Sequence, residues 1–350
     1  MSEPPLVSIV VPCYNAERYL RESLESILAQ SYERTEVLVL DDCSTDGTLD
    51  VVARFRERVR LVRQRANRGI YENCNDGIAM ARGELVAIYH ADDVYHPEIV
   101  ARQVAFLESH PSAGAVFCAD IFIDEEGREY DRLRLPPELR GDRPLGFATI
   151  FNSLLSRKNG YLVCPTAMVR AGVLCQLGGF RQSTYRNSAD LDMWIRIATR
   201  HDIGILEEHL VRYRHSRTQS SAHYQSLRCS PENFFAIMDD HLAADGRRVA
   251  TREALAAYEA HRAQDFLMIS TSYYVKGDLP AAREALARAE LVTLLASPAI
   301  RRFRLAALAL ACRMLYLLPH FRLLGELFYR RWHAPESRRP AARVAPGAAA

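Results

Sequence analysis

Residues 37–48 read VLVLDDCSTDGT. An apolar run ends abruptly on two aspartates. Ser44, Asp46 and Gly47 then supply turn and cap chemistry before a helical pattern begins at Thr48. This is a buried strand handing over to a helix through a polar loop, and the same handover recurs on both sides. Residues 6–11 form an apolar, largely β-branched run ended by Pro12 and followed by Tyr14 and Asn15, and residues 19–30 carry Leu20, Leu24, Ile27 and Leu28 at helical spacing. Residues 59–62, 85–89 and 115–123 read as further strands. Residues 70–81 and the stretch from Pro97 to His110 read as helices, with Pro97 suited to a first helical turn. Glu125, Glu126 and Gly127 read as a hairpin turn. The alternation predicts an α/β chain with a mostly parallel, mixed sheet flanked by helices.

Beyond residue 130 the pattern loosens. Pro136, Pro137, Gly141, Pro144 and Gly146 predict long loops over 130–165. Residues 166–177 and 188–201 are expected to be helical, and 203–206 and 210–214 to be closing strands. After about residue 225 strands cease, and the Ala/Leu/Arg-rich stretch 252–297 predicts a helix pair turning at Gly277-Asp278. One such unit is an α-helical extension and not a solenoid, which needs about three repeats. The expected organisation is a catalytic-size domain over 1–225, a helical region over 226–333 and a disordered Ala/Pro/Arg tail over 334–350.

The 350 residues are 49% hydrophobic and 25% charged, which excludes a disordered chain, a collagen-like repeat and a disulfide-dense mini-protein. The net charge of +2 points to no nucleic acid partner. Its distribution is uneven: residues 300–343 hold ten Arg against two Glu. Arg interleaved with Leu, Phe, Tyr and Trp over 300–333 predicts a basic amphipathic surface able to lie on an anionic membrane, with a packed helix pair as the other reading. The longest nearly apolar stretch, 303–318, is broken by Arg304 and Arg313, so no membrane span is expected. The N-terminus lacks a basic segment ahead of its short apolar run, so no signal peptide is expected. The eight Cys show no Cys-x-x-Cys and no zinc spacing, as in a cytoplasmic chain with reduced thiols.

Ligands of open parallel sheets bind outside the carboxyl ends of the strands. Polar groups collect at four such ends here: Tyr14-Asn15, Asp41-Asp42, Asn67-Arg68-Gly69 and His90-Ala91-Asp92-Asp93. There is no Gly-x-x-x-x-Gly-Lys and no Gly-x-Gly-x-x-Gly after the first strand, so the usual phosphate and dinucleotide loops are excluded. Paired aspartates at a strand end suit a hard divalent cation that shares its oxygen ligands with a diphosphate.

The order VSIVVPCYN (7–15), VLVLDDCSTDGT (37–48), NRGI-x-x-x-x-N-x-GI-x-x-A-x-GE (67–84) and IYHADDVYHPE (88–98) resembles the family-2 glycosyltransferases and their GT-A fold. The resemblance covers about residues 6–220 and assigns roles by position. Pro12, Tyr14 and Asn15 would contact the nucleoside. Asp42 would accept a hydrogen bond from the base, with Asp41 supporting the loop. Asn67 and Gly69 would open a helix whose N-terminal N–H groups favour the donor's anionic end. His90-Ala91-Asp92 stands at the Asp-x-Asp position, with His90 where the first Asp is common. Asp92 would meet a Mn²⁺ or Mg²⁺ ion, with Asp93 beside it. SADLDMWIRIA (188–198) resembles the acidic segment that carries the general base, with Ala189 in place of a Glu. Asp190 falls on the base, Trp194 would share its helical face in the sugar and acceptor pocket, and Asp192 would be structural. VRYRHSRTQSS (211–221) resembles the segment that closes over the diphosphate, where His215, Arg217 and Ser220 are candidate contacts and His215 could complete the metal shell.

What the resemblance implies is an inverting transfer of sugar from a nucleoside diphosphate, a UDP-sugar favoured, to a hydroxyl of a glycan or lipid-linked acceptor, in bacterial surface polysaccharide assembly. Asp190 would deprotonate the acceptor. The departures at His90 and Ala189 leave an inactive nucleotide- or glycan-binding module open. A nucleotidyltransferase would need a basic Gly-rich loop in residues 1–20, and none is present.

Overall fold

The computed structural model describes residues 3–216 and 227–289, together with Thr293, Ala307, Ala309, Leu310 and Cys312. The chain divides into two units, one of Met1–Ser220 with Asn233–Tyr258 and one of Ser221–Glu232 with Glu259–Ala350. The boundary expected near 225 falls inside the excursion 221–232, after which Asn233–Tyr258 returns to the first unit.

The first unit is built on a nine-stranded mixed sheet of order β3 (Arg60–Arg63), β2 (Thr35–Asp41), β1 (Val7–Cys13), β4 (Leu85–Ile88), β8 (Met168–Arg170), β6 (Ala113–Ile123), β9 (Asp202–Arg214) and β5 (Val94–Tyr95), with β7 (Glu129–Arg132) paired to β6. Strands β1, β2, β3 and β4 run parallel. Helices α1 (Leu20–Leu28), α2 (Thr48–Ala53) and α3 (Ile70–Met80) connect them. The minor strand β5 and helix α4 (Ile99–Ser109) lead to β6, which turns through Gly127 at φ 79° into β7. The expected hairpin is there.

Helix α5 (Phe147–Arg157) occupies part of the stretch expected to be loops. Its apolar residues Phe147, Ile150, Phe151, Leu154 and Leu155 keep helical spacing, and the flanking prolines and glycines masked that signal. Residues 166–177, expected to be one helix, split into strand β8 (Met168–Arg170) and helix α6 (Ala171–Leu177). β8 runs antiparallel between β4 and β6, so pairing from both sides overrides the helical pattern. After α7 (Gln182–Tyr185) and α8 (Ala189–Ala198), the two expected closing strands are one, β9 (Asp202–Arg214). Register shifts against β6 explain why its periodicity reads as two pieces.

Both faces of the central strands are covered, which is why β1 reads as a continuous apolar run. Alternation sends Val10, Leu38, Leu40, Val86 and Ile88 to one core with α3, α5 and α8. Val7, Ile9, Val11, Val37, Val39 and Ala87 go to the other with α1 and α4. The returning segment, α9 (Asn233–His241) continued through a π-turn (Leu242–Gly246) and the single turn α10 (Arg247–Val249), adds Phe234, Phe235, Ile237 and Met238 to the first core. Hydrophobic burial thus explains the return.

In the second unit, the residues of α11 (Arg252–Lys276) beyond Tyr258 pair with α12 (Leu279–Arg288). Gly277 turns at φ 86°, and Asp278 caps α12 by accepting the Ala281 N–H at 3.1 Å, as the expected helix pair requires. Arg228 pairs with the buried Asp265. No helix among the described residues is long and apolar enough to cross a membrane. The basic surface expected over 300–333 and the tail expected over 334–350 lie almost wholly outside the described residues.

Candidate active site

The parallel strands end on one edge, and the loops there are tied to each other. Asn15 sits at φ 49°, donates its N–H to the Ser44 hydroxyl at 2.9 Å and accepts the Thr45 N–H at 2.9 Å. Tyr14 beside it is half exposed, at 51%. Pro12 is buried within β1. Asp41 is fully buried, receives the Ser44 N–H and pairs with Arg63 at 3.7 Å, which is the loop support expected of it.

Asp42 is 3% exposed, and its two oxygens accept the Arg68 and Gly69 N–H groups at 2.8 Å each. Asn67 also accepts from Gly69, at 3.2 Å. Gln182 caps α3 from the far side: its carbonyl accepts the Tyr71 N–H at 2.8 Å and the Glu72 N–H at 3.3 Å, and its amide donates to the Arg68 carbonyl at 2.6 Å. The expectation of unclaimed helix N–H groups facing an anion is therefore corrected. Asp42 and Gln182 already claim the N–H groups of residues 68, 69, 71 and 72. Each Asp42 oxygen keeps a second lone pair, so acceptance from a base remains chemically open. Gly69 is required here: φ is 86°, and a Cβ would meet the Gln182 amide at 2.6 Å.

At the end of β4, His90, Asp92 and Asp93 place one ligand atom each within 4.8 Å of one another. Among the described residues no other His/Cys/Asp/Glu group does so. Burial pushes the His90 imidazole below its ordinary value, against the pull of Asp92, so the ring is neutral at pH 7. Burial pushes the Asp93 carboxyl well up, and the charge of Asp92 adds to it. His90 Nε2 and Asp93 Oδ2 are buried without a hydrogen-bond partner. Two orphaned atoms beside a carboxylate, of ligand types N and O, fit a divalent cation. His90, placed outside the expected ligands, stands in this group. His215, expected as a ligand with Asp92, does not: its Nδ1 bonds the Tyr130 hydroxyl and its ring stacks on Phe122 at 5.3 Å. Arg217 and Ser220 lie outside the described residues.

A buried arginine holds this loop. Arg214, 2% exposed at the end of β9, gives its backbone N–H to Asp93 Oδ1 and its Nε–H to the Asp92 carbonyl, both at 2.8 Å. Its remaining donors reach the Asp124 and Glu125 carbonyls and Glu22, and its guanidinium lies over Tyr19 at 4.5 Å. The sequence shows it only as one basic residue in RYRH.

Asp190 begins α8, half-buried. Burial pushes its carboxyl up to about 6, against hydrogen bonds from the Leu191 N–H and the Tyr71 hydroxyl. Asp192 is fully buried and held by Arg196 at 2.8 Å, His241 at 3.1 Å and Arg181 at 3.8 Å. Arg196 also donates to the carbonyls of Leu177 at 2.7 Å and Gly179 at 2.6 Å, and so locks the turn before α8. That is the structural role expected of Asp192.

Trp194 corrects an expectation. It is fully buried, edge-on to Phe117 at 5.0 Å and Phe180 at 5.7 Å, and is a core residue and not a wall of the sugar pocket. Trp194→Ala should cost about 3–5 kcal/mol of stability, read as a lowered urea midpoint. A loss under about 1 kcal/mol would contradict that placement.

The glycosyl transferase family 2 model matches residues 8–178. EpsE of Bacillus subtilis, a protein named for glycosyltransferase activity, is 33% identical over 201 residues, 56% of this chain and 68% of EpsE. TuaG of the same organism, named for teichuronic acid biosynthesis, is 28% identical over 197 residues, 55% of this chain and 72% of TuaG. The structure of S. aureus TarS 1–349 in complex with UDP-GlcNAc aligns over 93% of this chain and 92% of its own, with a TM-score of 0.60 at 20% identity, a likeness of fold. With that likeness to the GT-A sheet, and a third of positions shared over two thirds of EpsE, the chain belongs to glycosyltransferase family 2.

Proposed function

We propose that this glycosyltransferase inverts: it moves a sugar from a nucleoside diphosphate, a UDP-sugar by preference, to a hydroxyl of a glycan or lipid-linked acceptor in surface polysaccharide synthesis. The donor class is supported by the UDP-GlcNAc held in the TarS structure, and the polymer by the name of TuaG. The observation that carries the reading is Asp190, a half-buried carboxyl in the first turn of α8 that burial pushes up to about 6. A base is most effective when its pKa lies near the working pH.

Asp190 takes the proton of the acceptor hydroxyl. The acceptor oxygen attacks the anomeric carbon from the face opposite the diphosphate, and the bond to the phosphate oxygen breaks with its electron pair on the diphosphate. His90, Asp92 and Asp93 would hold a Mn²⁺ or Mg²⁺ ion, which supplies positive charge against the departing diphosphate. Tyr14, Asn15 and Asp42 line the nucleoside end, with Asn67 and Gly69 completing the loop that Asp42 holds.

A thermal-shift screen of nucleoside diphosphates with and without Mn²⁺ tests the donor class. UDP at 100 Kd should stabilise the fold by about 2.7 kcal/mol, and only with metal. No shift by any diphosphate in either condition would favour the inactive-module reading. A second expectation concerns pH. Asp190 must be ionised to accept a proton, so kcat/KM should hold above pH 6 and fall tenfold per unit below about 6. A profile flat from about pH 5 to 8 would remove Asp190 as the base.

A further inference from the structure

Asp120 lies in the middle of β6 and has no exposed surface. Both its carboxylate oxygens are buried without a hydrogen-bond partner. Leaving such a group unsatisfied costs free energy that replacement by an apolar residue would recover, so its retention calls for a partner. Strand register shows which face it occupies. Asp120 pairs with Val211 and Phe122 with Tyr213, so Asp120, Phe122, Tyr213 and His215 share one face of the β6–β9 pair, with the buried Val211 at its inner end. Three of these side chains are rings: Phe122 lies 6.3 Å from Tyr213 and 5.3 Å from His215. Tyr130 of β7 joins them through its bond to His215. Arg214, next to Tyr213 on β9, bonds Asp93 and the Asp92 carbonyl, so this end of the β6–β9 pair is tied to the cation group. The end of the β6–β9 pair that carries Asp120 thus adjoins the cation group. That is the place of the sugar ring in the proposed reaction. Aromatic faces beside a lone carboxylate are the chemistry that receives a sugar, whose C–H faces pack on rings and whose hydroxyls donate.

We infer that Asp120 accepts a hydrogen bond from a hydroxyl of the transferred sugar, and so helps set which sugar is used. The inference rests on the donor reading above. Asp120 is closed off in this conformation, so a hydroxyl reaches it only when the side chains over it move. Tyr130 and His215 are exposed rings hydrogen-bonded to each other beside Phe122.

The test titrates full-length wild type, Asp120→Asn and Asp120→Ala with UDP and UDP-GlcNAc in Mn²⁺ by calorimetry, after other nucleoside diphosphates and their sugars have been screened on wild type for a tighter pair. Asp120→Asn, which keeps an acceptor oxygen, should keep UDP affinity and lose a few-fold for the sugar nucleotide, whereas Asp120→Ala, which removes the acceptor, should keep UDP affinity too and lose about tenfold or more. The Tm of Asp120→Asn should hold or rise, because a buried unpaired carboxylate is removed. Equal loss for UDP and UDP-sugar would overturn the inference, since Asp120 would then act on the diphosphate end. Unchanged donor affinity with a raised acceptor KM would overturn it too, and assign the hydroxyl to the acceptor. Wild type that binds no nucleoside diphosphate or nucleotide sugar would end the donor reading itself, and this inference with it.

Discussion

Asp190→Asn should lower the transfer rate by about 10²–10⁴-fold, the usual contribution of a general base, while donor affinity stays within about twofold. The substitution keeps shape and removes only the ability to accept a proton. Its effect on stability has the opposite sign, which separates chemistry from misfolding. The carboxyl's folded value of about 6 lies above its unfolded value of about 3.9. The folded state therefore binds the proton more tightly. Stability from this group is greatest at low pH and is lost as pH rises from about 4 to 6, so at pH 7 the ionised side chain is a net cost. Asparagine carries no such cost, and Asp190→Asn should melt at or above the wild-type temperature at pH 7. Full turnover, or lost turnover with a lower Tm, would contradict the assignment.

Asp92→Ala should abolish the metal dependence of donor binding. Wild type should bind UDP about tenfold or more tighter with Mn²⁺ than with chelator, and the variant equally weakly in both. Asp92 is the half-buried carboxylate of its group, whereas Asp93 is fully buried and gives one oxygen to the Arg214 N–H. Some compensation is expected, because losing the charge of Asp92 lets Asp93 ionise more easily. His90 is neutral and supplies no charge in its place. The same Mn²⁺ effect in variant and wild type would contradict this role.

The sheet was legible because each central strand is a β-branched run cut off by polar residues, a pattern made locally. The same feature marked Asp42 and Asp92, whereas Asp190, on a helix, was marked only by the likeness of SADLDMWIRIA to the family's acidic segment. What stayed hidden depends on partners distant in sequence. The three residues of β8 are a strand only because β4 and β6 flank them. Gln182 caps a helix that begins more than a hundred residues earlier. Arg214 reaches three segments, all distant from it in sequence. Trp194 and Asp190 share one helix, but Phe117 and Phe180 draw the indole into the core while the carboxylate stays half-buried. Asp120 did leave a signal, an acid inside the apolar run AVFCADIFI, which a strand reading alone passes over.

Donor hydrolysis tests the central claim without knowledge of the acceptor. An inverting site that holds its sugar nucleotide lets water take the acceptor's place slowly, and proton NMR reads the first anomer of sugar released. The account predicts the anomer opposite to that of the donor, formed in the presence of Mn²⁺ and lost in Asp190→Asn. Release of the donor's own anomer, or hydrolysis that survives in Asp190→Asn, would contradict it.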